Sequence, residues 1–286
     1  MTPVLSAVGG SGRSTVAGLL AAALAQSGSS VVLDLAHRLA SPWPEWTPDP
    51  GGGLASIPPH QPLSRRQVHA AASRLPALGG AHWQVLTDTR EWSAPPLAPV
   101  DDPAAWHQLA AVGSWQAVVA DTAHPMGHDI VAARTAGRSG ATASWCALPF
   151  SVPVVCVAAT ASGMRALETA LKAATAEGLP LERMVVALVS TADGRLPPPV
   201  QAGKTMIEPR VGSLVHVPYD QQIRTYGLRD VTRLGSRSLQ AADQLARAVL
   251  SSAHASWGDP LPVAATPAAL PLPIQLAQPV PEKVSP

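Results

Sequence analysis

The sequence predicts an α/β fold built on a doubly wound, mostly parallel sheet of about seven strands. Short apolar runs rich in Val recur along the chain and alternate with amphipathic helical patterns. Each run is almost continuously hydrophobic, which is typical of strands that helices cover on both faces. Because 47% of the residues are hydrophobic and 14% are charged, the chain has enough apolar material for a large core. Repeated strand, helix and strand is the order expected of such a sheet.

The strands and helices can be placed in chain order. Seven runs are predicted as strands, and they cover residues 3–8, 30–35, 83–88, 115–121, 152–159, 184–190 and 213–218. A first helix follows the first strand, where Val16 and Leu19 begin an apolar face and Gly28 comes after the end. Two further helices are expected at 161–177 and at about 238–253.

Two segments interrupt this rhythm. Residues 41–62 are rich in Pro and Gly, which predicts a long loop after the second strand. Such a loop lies at the carboxyl edge of the sheet, so Trp43 and Trp46 either flank a ligand site or pin the loop to the domain. Residues 256–286 carry many prolines and little to bury, and are predicted to be a disordered or extended tail. The folded domain is therefore expected to span 1–255.

Composition excludes several classes of function. A formal net charge of +1 gives no overall field that would attract nucleic acid or an anionic membrane. No apolar run reaches the ~20 residues of a membrane span, so we predict a soluble, cytoplasmic protein. Cys146 and Cys156 are expected to be thiols in or near core strands. His124 and His128 lie four residues apart, but the Pro and Gly between them oppose a metal-binding helix.

The turn after the first strand has the chemistry of a phosphate-binding loop. The segment VGGSGRST occupies residues 8–15, between an apolar strand and an amphipathic helix. Gly9, Gly10 and Gly12 let the backbone approach phosphate oxygens, and the following helix adds its positive N-terminal end. Ser14 stands where a hydroxyl would hold Mg²⁺. The context makes this a moderately specific signal for a nucleotide site.

This loop resembles the deviant phosphate loop of the ParA/MinD family of P-loop ATPases, KGGxGK followed by Ser or Thr. Four later segments agree in order: VVLDLAHRLASPW with the first switch, WQAVVADTAHP with the second, VPVVCVAATASGMRALE with a strand and helix, and LVHVPYDQQIR with the backbone near adenine. The resemblance covers roughly residues 1–250. It implies a P-loop NTPase-like fold, a face-to-face dimer and ATP or ADP with Mg²⁺ as the cofactor.

The resemblance also implies which residues form the site. The nucleotide-binding residues that it implies are Gly9, Gly10, Ser11, Gly12, Arg13, Ser14, Thr15, Pro218 and Tyr219. The Mg²⁺ ligands that it implies are Ser14, Asp34 and Asp121.

Three departures from the family pattern concern catalysis. The lysine that reaches the partner's phosphates aligns with Val8, and the second loop lysine aligns with Arg13. The second Asp of the first switch, which helps to position water in the family, aligns with Ala36 after Asp34. Because phosphoryl transfer depends on placement and charge neutralisation, these changes predict impaired or absent ATP hydrolysis. Only three lysines occur in the chain, so a general preference for Arg can explain Arg13 but not Val8.

The sequence offers candidates for catalysis and assigns no residue to it. Asp34 and Asp121 are the candidates, and His37, Arg38 and His124 are nearby polar side chains that could compensate. The leading hypothesis is a ParA/MinD-like protein of partition, cell division or another positioning or regulatory process, which binds nucleotide and acts through a protein partner. The alternatives are a pseudo-ATPase scaffold of a secretion, pilus or conjugation machine, and an active ATPase that uses Arg13 and His37.

Expected partners follow from the same comparison. A protein partner is expected, and a homodimer is possible. The basic cluster that could contact DNA non-specifically, a reading we do not favour, contains Arg224, Arg229, Arg233 and Arg237. Prolines in the tail prevent the membrane helix that ends the MinD branch, so no membrane binding is expected by that route. A dinucleotide-binding oxidoreductase is a distant alternative, because the turn lacks G-x-G-x-x-G spacing.

Overall fold

All seven predicted strands form, in a sheet that contains one strand more than predicted. The structure, a computed structural model, describes residues 1–58, 60–97 and 100–259. The strands are β1 Thr2–Ser6, β2 Ser30–Asp34, β3 Ser73–Pro76, β4 His82–Leu86, β5 Ala117–Pro125, β6 Val154–Ala158, β7 Val185–Val189 and β8 Ser213–Val217.

Helices connect these strands and cover both faces of the sheet. In the described residues they are α1 Arg13–Leu24, α2 Trp43–Trp46, α3 Arg65–Ala71, α4 Pro103–Gly113, α5 Met126–Thr135, α6 Ala141–Ala147, α7 Ala161–Ala176, α8 Pro198–Ile207, α9 Gln221–Tyr226 and α10 Ser236–Trp257. The predicted helices at 161–177 and 238–253 are confirmed as α7 and α10, although α10 is longer at both ends.

The strand order is β3-β4-β2-β5-β1-β6-β7-β8, and only β3 runs antiparallel to its neighbour. The doubly wound, mostly parallel sheet is therefore confirmed. Strand β3 escaped prediction because it has four residues, in which the exposed Arg74 and Pro76 alternate with the buried Ser73 and Leu75. Proline is tolerated there because β3 lies at the edge of the sheet, where an N–H donor can be missing.

The core explains why the strands read as continuous apolar runs. Alternate residues of one strand point to opposite faces of a sheet. Val4 packs on the face that α1 and α10 cover, together with Leu20 and Leu245. Its neighbour Leu5 packs on the opposite face with Leu167 of α7. Both faces are buried, so apolar side chains are needed at successive positions.

The segment 41–62 is more ordered than predicted, because it contains α2 and a short 3-10 turn at Leu54–Ser56. Trp43 of α2 is fully buried and packs edge-to-face against Trp46 and Trp83, with ring centroids 5.2 and 5.8 Å away. Close packing requires a glycine at position 18, where a Cβ would lie 2.9 Å from the Trp43 ring. Trp43 therefore pins this segment to α1. The predicted tail lies outside the described residues from position 260 onwards.

The two cysteines lie where the sequence predicts them. Cys156 is in β6, Cys146 is in the short helix α6, and both are buried thiols. Burial raises the pKa of Cys146 to about 12, so it stays protonated near neutral pH. Within the described ranges, no helix combines the length and the apolar character needed to cross a bilayer.

Candidate nucleotide site

Three neighbouring strands bring the predicted site residues to one edge of the sheet. Strand β1 lies beside β5, and β5 pairs with β2, so their carboxyl ends meet at the turn formed by residues 7–12. Asp34 and Asp121 are paired across β2 and β5. Strand β5 continues past Asp121 to Pro125, with a register shift opposite β1, so Asp121 does not end its strand as expected. Ligands of doubly wound sheets bind at such an edge.

The backbone of the turn has the form that a phosphate loop requires. Gly10 and Gly12 have φ of +71° and +81°, which L side chains rarely adopt. A Cβ on Gly12 would also lie 2.9 Å from the Cγ1 atom of Val189. Helix α1 begins at Arg13, and no side chain caps its N-terminus. Its first backbone N–H groups lack intrahelical partners and, in the described ranges, side-chain caps, which leaves them free to bind an anion.

A cavity of about 160 Å³ lies against this loop. It brings residues of the loop together with the segment 218–224, although more than 200 positions separate them in sequence. Its lining includes Gly10, Ser11, Gly12, Thr15, Pro218 and Tyr219. The predicted residues Gly9, Arg13 and Ser14 do not line it. The hydroxyl oxygen of Ser11 is buried here without a hydrogen-bond partner in the described part of the chain.

Arg224 lies beside the loop, a position that was not predicted from the sequence. Arg224 lines the cavity with Tyr219, whereas the sequence grouped it with other arginines that could contact DNA, a reading that was not favoured. Two of those arginines have partners elsewhere, because the Arg229 Nε donates to the Glu45 carbonyl at 2.7 Å and the Arg237 Nη2 lies 3.4 Å from Asp193 Oδ1. The sequence signal that could have indicated this position is that Arg224 follows Pro218 and Tyr219 closely along the chain.

Arg13 turns inward under the loop and makes an ion pair. Its Nε donates to Asp121 Oδ1 at 3.0 Å, and its Nη1 donates to the Ser6 hydroxyl at 3.1 Å. The other oxygen of Asp121 accepts a hydrogen bond from Trp43 Nε1 at 2.8 Å. Burial raises the pKa of Asp121, while the charge of Arg13 and hydrogen bonds from Ser14 and Trp43 oppose that rise. Arg13 thus supplies the counter-charge that a buried carboxylate needs.

Asp34 is equally enclosed. Its Oδ2 accepts hydrogen bonds from the hydroxyls of Ser41 and Thr87, both at 2.6 Å, and its Oδ1 accepts the Ala36 N–H at 3.1 Å. Burial raises the pKa of Asp34 to about 7, reinforced by the Asp121 carboxylate and opposed by these three donors. Two neighbouring carboxylates therefore share one site with a single compensating cation.

The carboxylates do not fit a Mg²⁺ site in this conformation. Mg²⁺ takes about six oxygens in near-ideal octahedral geometry, usually with one or two carboxylates among them. Here every carboxylate oxygen of Asp34 and Asp121 already accepts a hydrogen bond from the protein. Across residues 1–58, 60–97 and 100–259, no three His, Cys, Asp or Glu side chains come close enough to hold a metal.

The polar side chains that the sequence offered as substitutes for catalytic groups have partners or cavities of their own. Arg38 pairs with Asp88 at 2.9 Å, and its Nη2 donates to two backbone carbonyls. His124 Nε2 is hydrogen-bonded to the Thr142 hydroxyl at 3.1 Å, and burial lowers the pKa of His124. His37 and His124 line a separate cavity of about 640 Å³. Val8 is 39% exposed on the outside of the loop and brings no charge.

Comparison with known proteins shows the fold of this chain. No protein-family model and no characterised sequence matches it. Among solved structures, the cell division ATPase MinD from Pyrococcus furiosus is 15% identical, with a TM-score of 0.54 over 87% of this chain and 98% of that one. A ParA family ATPase from Chlorobium tepidum is 14% identical, with a TM-score of 0.53 over 88% and 97%. An ATP complex of a Cyanothece McdA variant is 12% identical, with a TM-score of 0.51 over 87% and 95%.

These likenesses establish the ParA/MinD-like P-loop fold that the loop and its flanking strands predict. The same fold carries an ATP complex in one of the neighbours. Because identity is 15% or less, the likeness extends to the fold and not to the activity of this chain.

Proposed function

We propose that this chain binds an adenine nucleotide at the loop between β1 and α1, hydrolyses ATP poorly or not at all, and acts by binding a protein partner. The observation that carries this proposal is an asymmetry around the loop. One side has an open cavity and an uncapped helix end, whereas the other is filled by the Arg13–Asp121 ion pair.

The groups on the open side fit a nucleotide. Backbone N–H groups at the start of α1 and the buried hydroxyl of Ser11 suit phosphate oxygens. Pro218, Tyr219 and Arg224 provide an apolar wall and a cation beside them. A volume of about 160 Å³ suits one end of the ligand, with the remainder lying across the open loop.

Weak hydrolysis follows from the groups on the closed side. Val8 brings no cation to the phosphates of a second copy, and Ala36 contributes only a backbone N–H to Asp34. Loss of one charge-stabilising group typically lowers phosphoryl-transfer rates by about 10³-fold or more. We therefore expect nucleotide occupancy, rather than turnover, to control partner binding or self-association. Positioning of a cargo, as in partition or cell division, is the process that the ParA and MinD neighbours suggest.

Calorimetry of the full chain with ADP and ATP tests this function, together with a phosphate-release assay. We expect binding in the micromolar to millimolar range and no phosphate release above that of buffer. Absence of binding at millimolar nucleotide would favour the second candidate, a pseudo-ATPase scaffold. The inward turn of Arg13 and the small cavity favour that candidate. Phosphate release that disappears in Arg13→Ala would instead indicate an active ATPase.

A further inference from the structure

Arg13 places a permanent positive charge between the loop and the buried carboxylates. Guanidinium groups stay protonated at all physiological pH values. The Arg13 side chain is 19% exposed and the Asp121 side chain 1%, so the charge reaches from the loop surface to the floor of the site. Arg13 also donates to Ser6 on β1, which fixes the guanidinium at two points.

The Arg13 guanidinium occupies the place beside Asp121 that a metal ion would need. Asp121 accepts from Arg13 on one oxygen and from Trp43 on the other. A divalent ion at Asp121 would have to displace a fixed, fully charged partner from a buried carboxylate. Such displacement leaves the guanidinium beside a second cation in a site of low dielectric, which is strongly unfavourable.

Arg13 keeps donors for an anion while it holds Asp121. Arginine has five N–H donors, and the described residues offer acceptors to its Nε and Nη1. In the described part of the chain, Nη2 has no acceptor, and part of the side chain reaches solvent. Arg13 is also the first residue of α1, so these donors lie next to the helix end.

We propose that Arg13 replaces the divalent cation of this site, so that the chain excludes metal from Asp121 and binds ADP or ATP without Mg²⁺. The nucleotide part rests on the proposed function, whereas the exclusion of metal stands on the ion pair alone. The two parts therefore have separate tests.

Mn²⁺ titration of the full chain, followed by electron paramagnetic resonance without nucleotide, tests the exclusion of metal. We expect wild type to bind no Mn²⁺ that depends on Asp121. The Arg13→Ala variant should gain a weak site, with a Kd on the order of 1 mM, because Asp121 then lacks its cation. The double variant Arg13→Ala, Asp121→Asn should lose that site.

Two results would overturn the exclusion of metal. One is Mn²⁺ binding by wild type that disappears in Asp121→Asn. The other is a folded Arg13→Ala variant, verified by circular dichroism, that gains no site. If Arg13→Ala does not fold, the wild-type titration with Asp121→Asn as its control still decides the question.

Nucleotide affinity in EDTA and in excess Mg²⁺ tests the second part. We expect the Kd of ADP and of ATP to change by less than about threefold between the two conditions, because no metal couples the phosphates to Asp121. An affinity that falls about tenfold or more in EDTA would overturn metal-free binding. No binding in either condition would overturn the proposed function, while the Mn²⁺ titration still decides the exclusion of metal.

Discussion

The two sides of the phosphate loop differ in how their polar groups are satisfied. On the side of Pro218 and Tyr219, a cavity is open, the Ser11 hydroxyl has no partner in the described residues, and α1 has no side-chain cap. On the side of Asp34 and Asp121, all four carboxylate oxygens accept hydrogen bonds from the protein. On the first side polar groups are left without protein partners among the residues that the structure describes, and on the second the carboxylate oxygens are hydrogen-bonded within the protein.

This difference concerns two functions that a phosphate loop normally combines, nucleotide binding and nucleotide hydrolysis. Binding depends mainly on backbone geometry and a helix end, which survive side-chain substitutions. Hydrolysis depends on placed charges, which single substitutions remove. A chain can therefore lose turnover and keep a nucleotide-binding loop.

The largest effect is expected from Gly12→Ala on the open side. Its φ of +81° and the 2.9 Å approach of a Cβ to Val189 would force the loop to move. We expect the Kd of ADP to rise at least about 100-fold, as measured by calorimetry. Gly178→Ala is the matched control, because Gly178 has φ of +70° and open space around it. Equal affinity of the Gly12→Ala and Gly178→Ala variants for ADP would contradict the proposal that the open side of the loop binds the nucleotide.

On the closed side, Asp34 should make stability depend on pH. Its pKa is about 7 in the folded state, against 3.8 for an ordinary Asp. The folded protein therefore binds the proton more tightly, and the free energy of unfolding falls as the pH rises from about 4 to about 8. Asp34→Asn should remove a decrease of about 2–4 kcal/mol over this interval, as measured by urea unfolding. Parallel pH profiles of variant and wild type would contradict a buried, proton-binding Asp34.

Trp43→Phe sharpens the comparison by removing one donor from Asp121. We expect a loss of about 2–3 kcal/mol of stability, because the carboxylate then lacks a buried hydrogen bond. Trp83→Phe is the control, since Trp83 is also fully buried but donates to the neutral Pro76 carbonyl. The loss of stability in Trp83→Phe should be smaller than in Trp43→Phe by about 1 kcal/mol, because hydrogen bonds to charged groups are stronger. Equal unfolding midpoints for the two variants would show that packing alone sets the cost.

The smallest effect is expected from Arg224→Ala, at the rim of the open cavity. Removing this cation should weaken ADP binding by about tenfold, with no change in thermal stability. Arg233→Ala, which removes an exposed arginine outside the cavity lining, should leave the affinity unchanged. Equal losses in both variants would indicate a general effect of net charge.

The fold could be predicted from the sequence more completely than the site. Seven strands were predicted because burial on both faces requires continuous apolar runs, and that requirement is local. Strand β3 was missed because its exposed Arg74 and Pro76 break the pattern. That positions 8 and 36 bring neither a cation nor a carboxylate is evident from the identity of Val8 and Ala36, while the effect on hydrolysis stays a prediction.

The partners of the carboxylates could not be predicted. Arg13 and Asp121 are 108 positions apart, and Trp43 and Asp121 are 78 positions apart. Such contacts depend on strand order and on how the 41–62 segment packs, which no local pattern specifies. For the same reason the sequence could not place the exposed Arg224 beside the cavity that it lines.

The Arg13–Asp121–Trp43 arrangement limits what a single substitution in this loop can change. A lysine at position 13 would bring a point charge without the planar fork that contacts both Ser6 and Asp121. A lysine at position 8 would add a cation at an exposed position, while Ala36 would still lack the second carboxylate. Lysine at position 13 would therefore weaken contacts already in place, and lysine at position 8 alone would leave position 36 without a carboxylate, so neither single substitution completes the charged set of a phosphate-transferring loop.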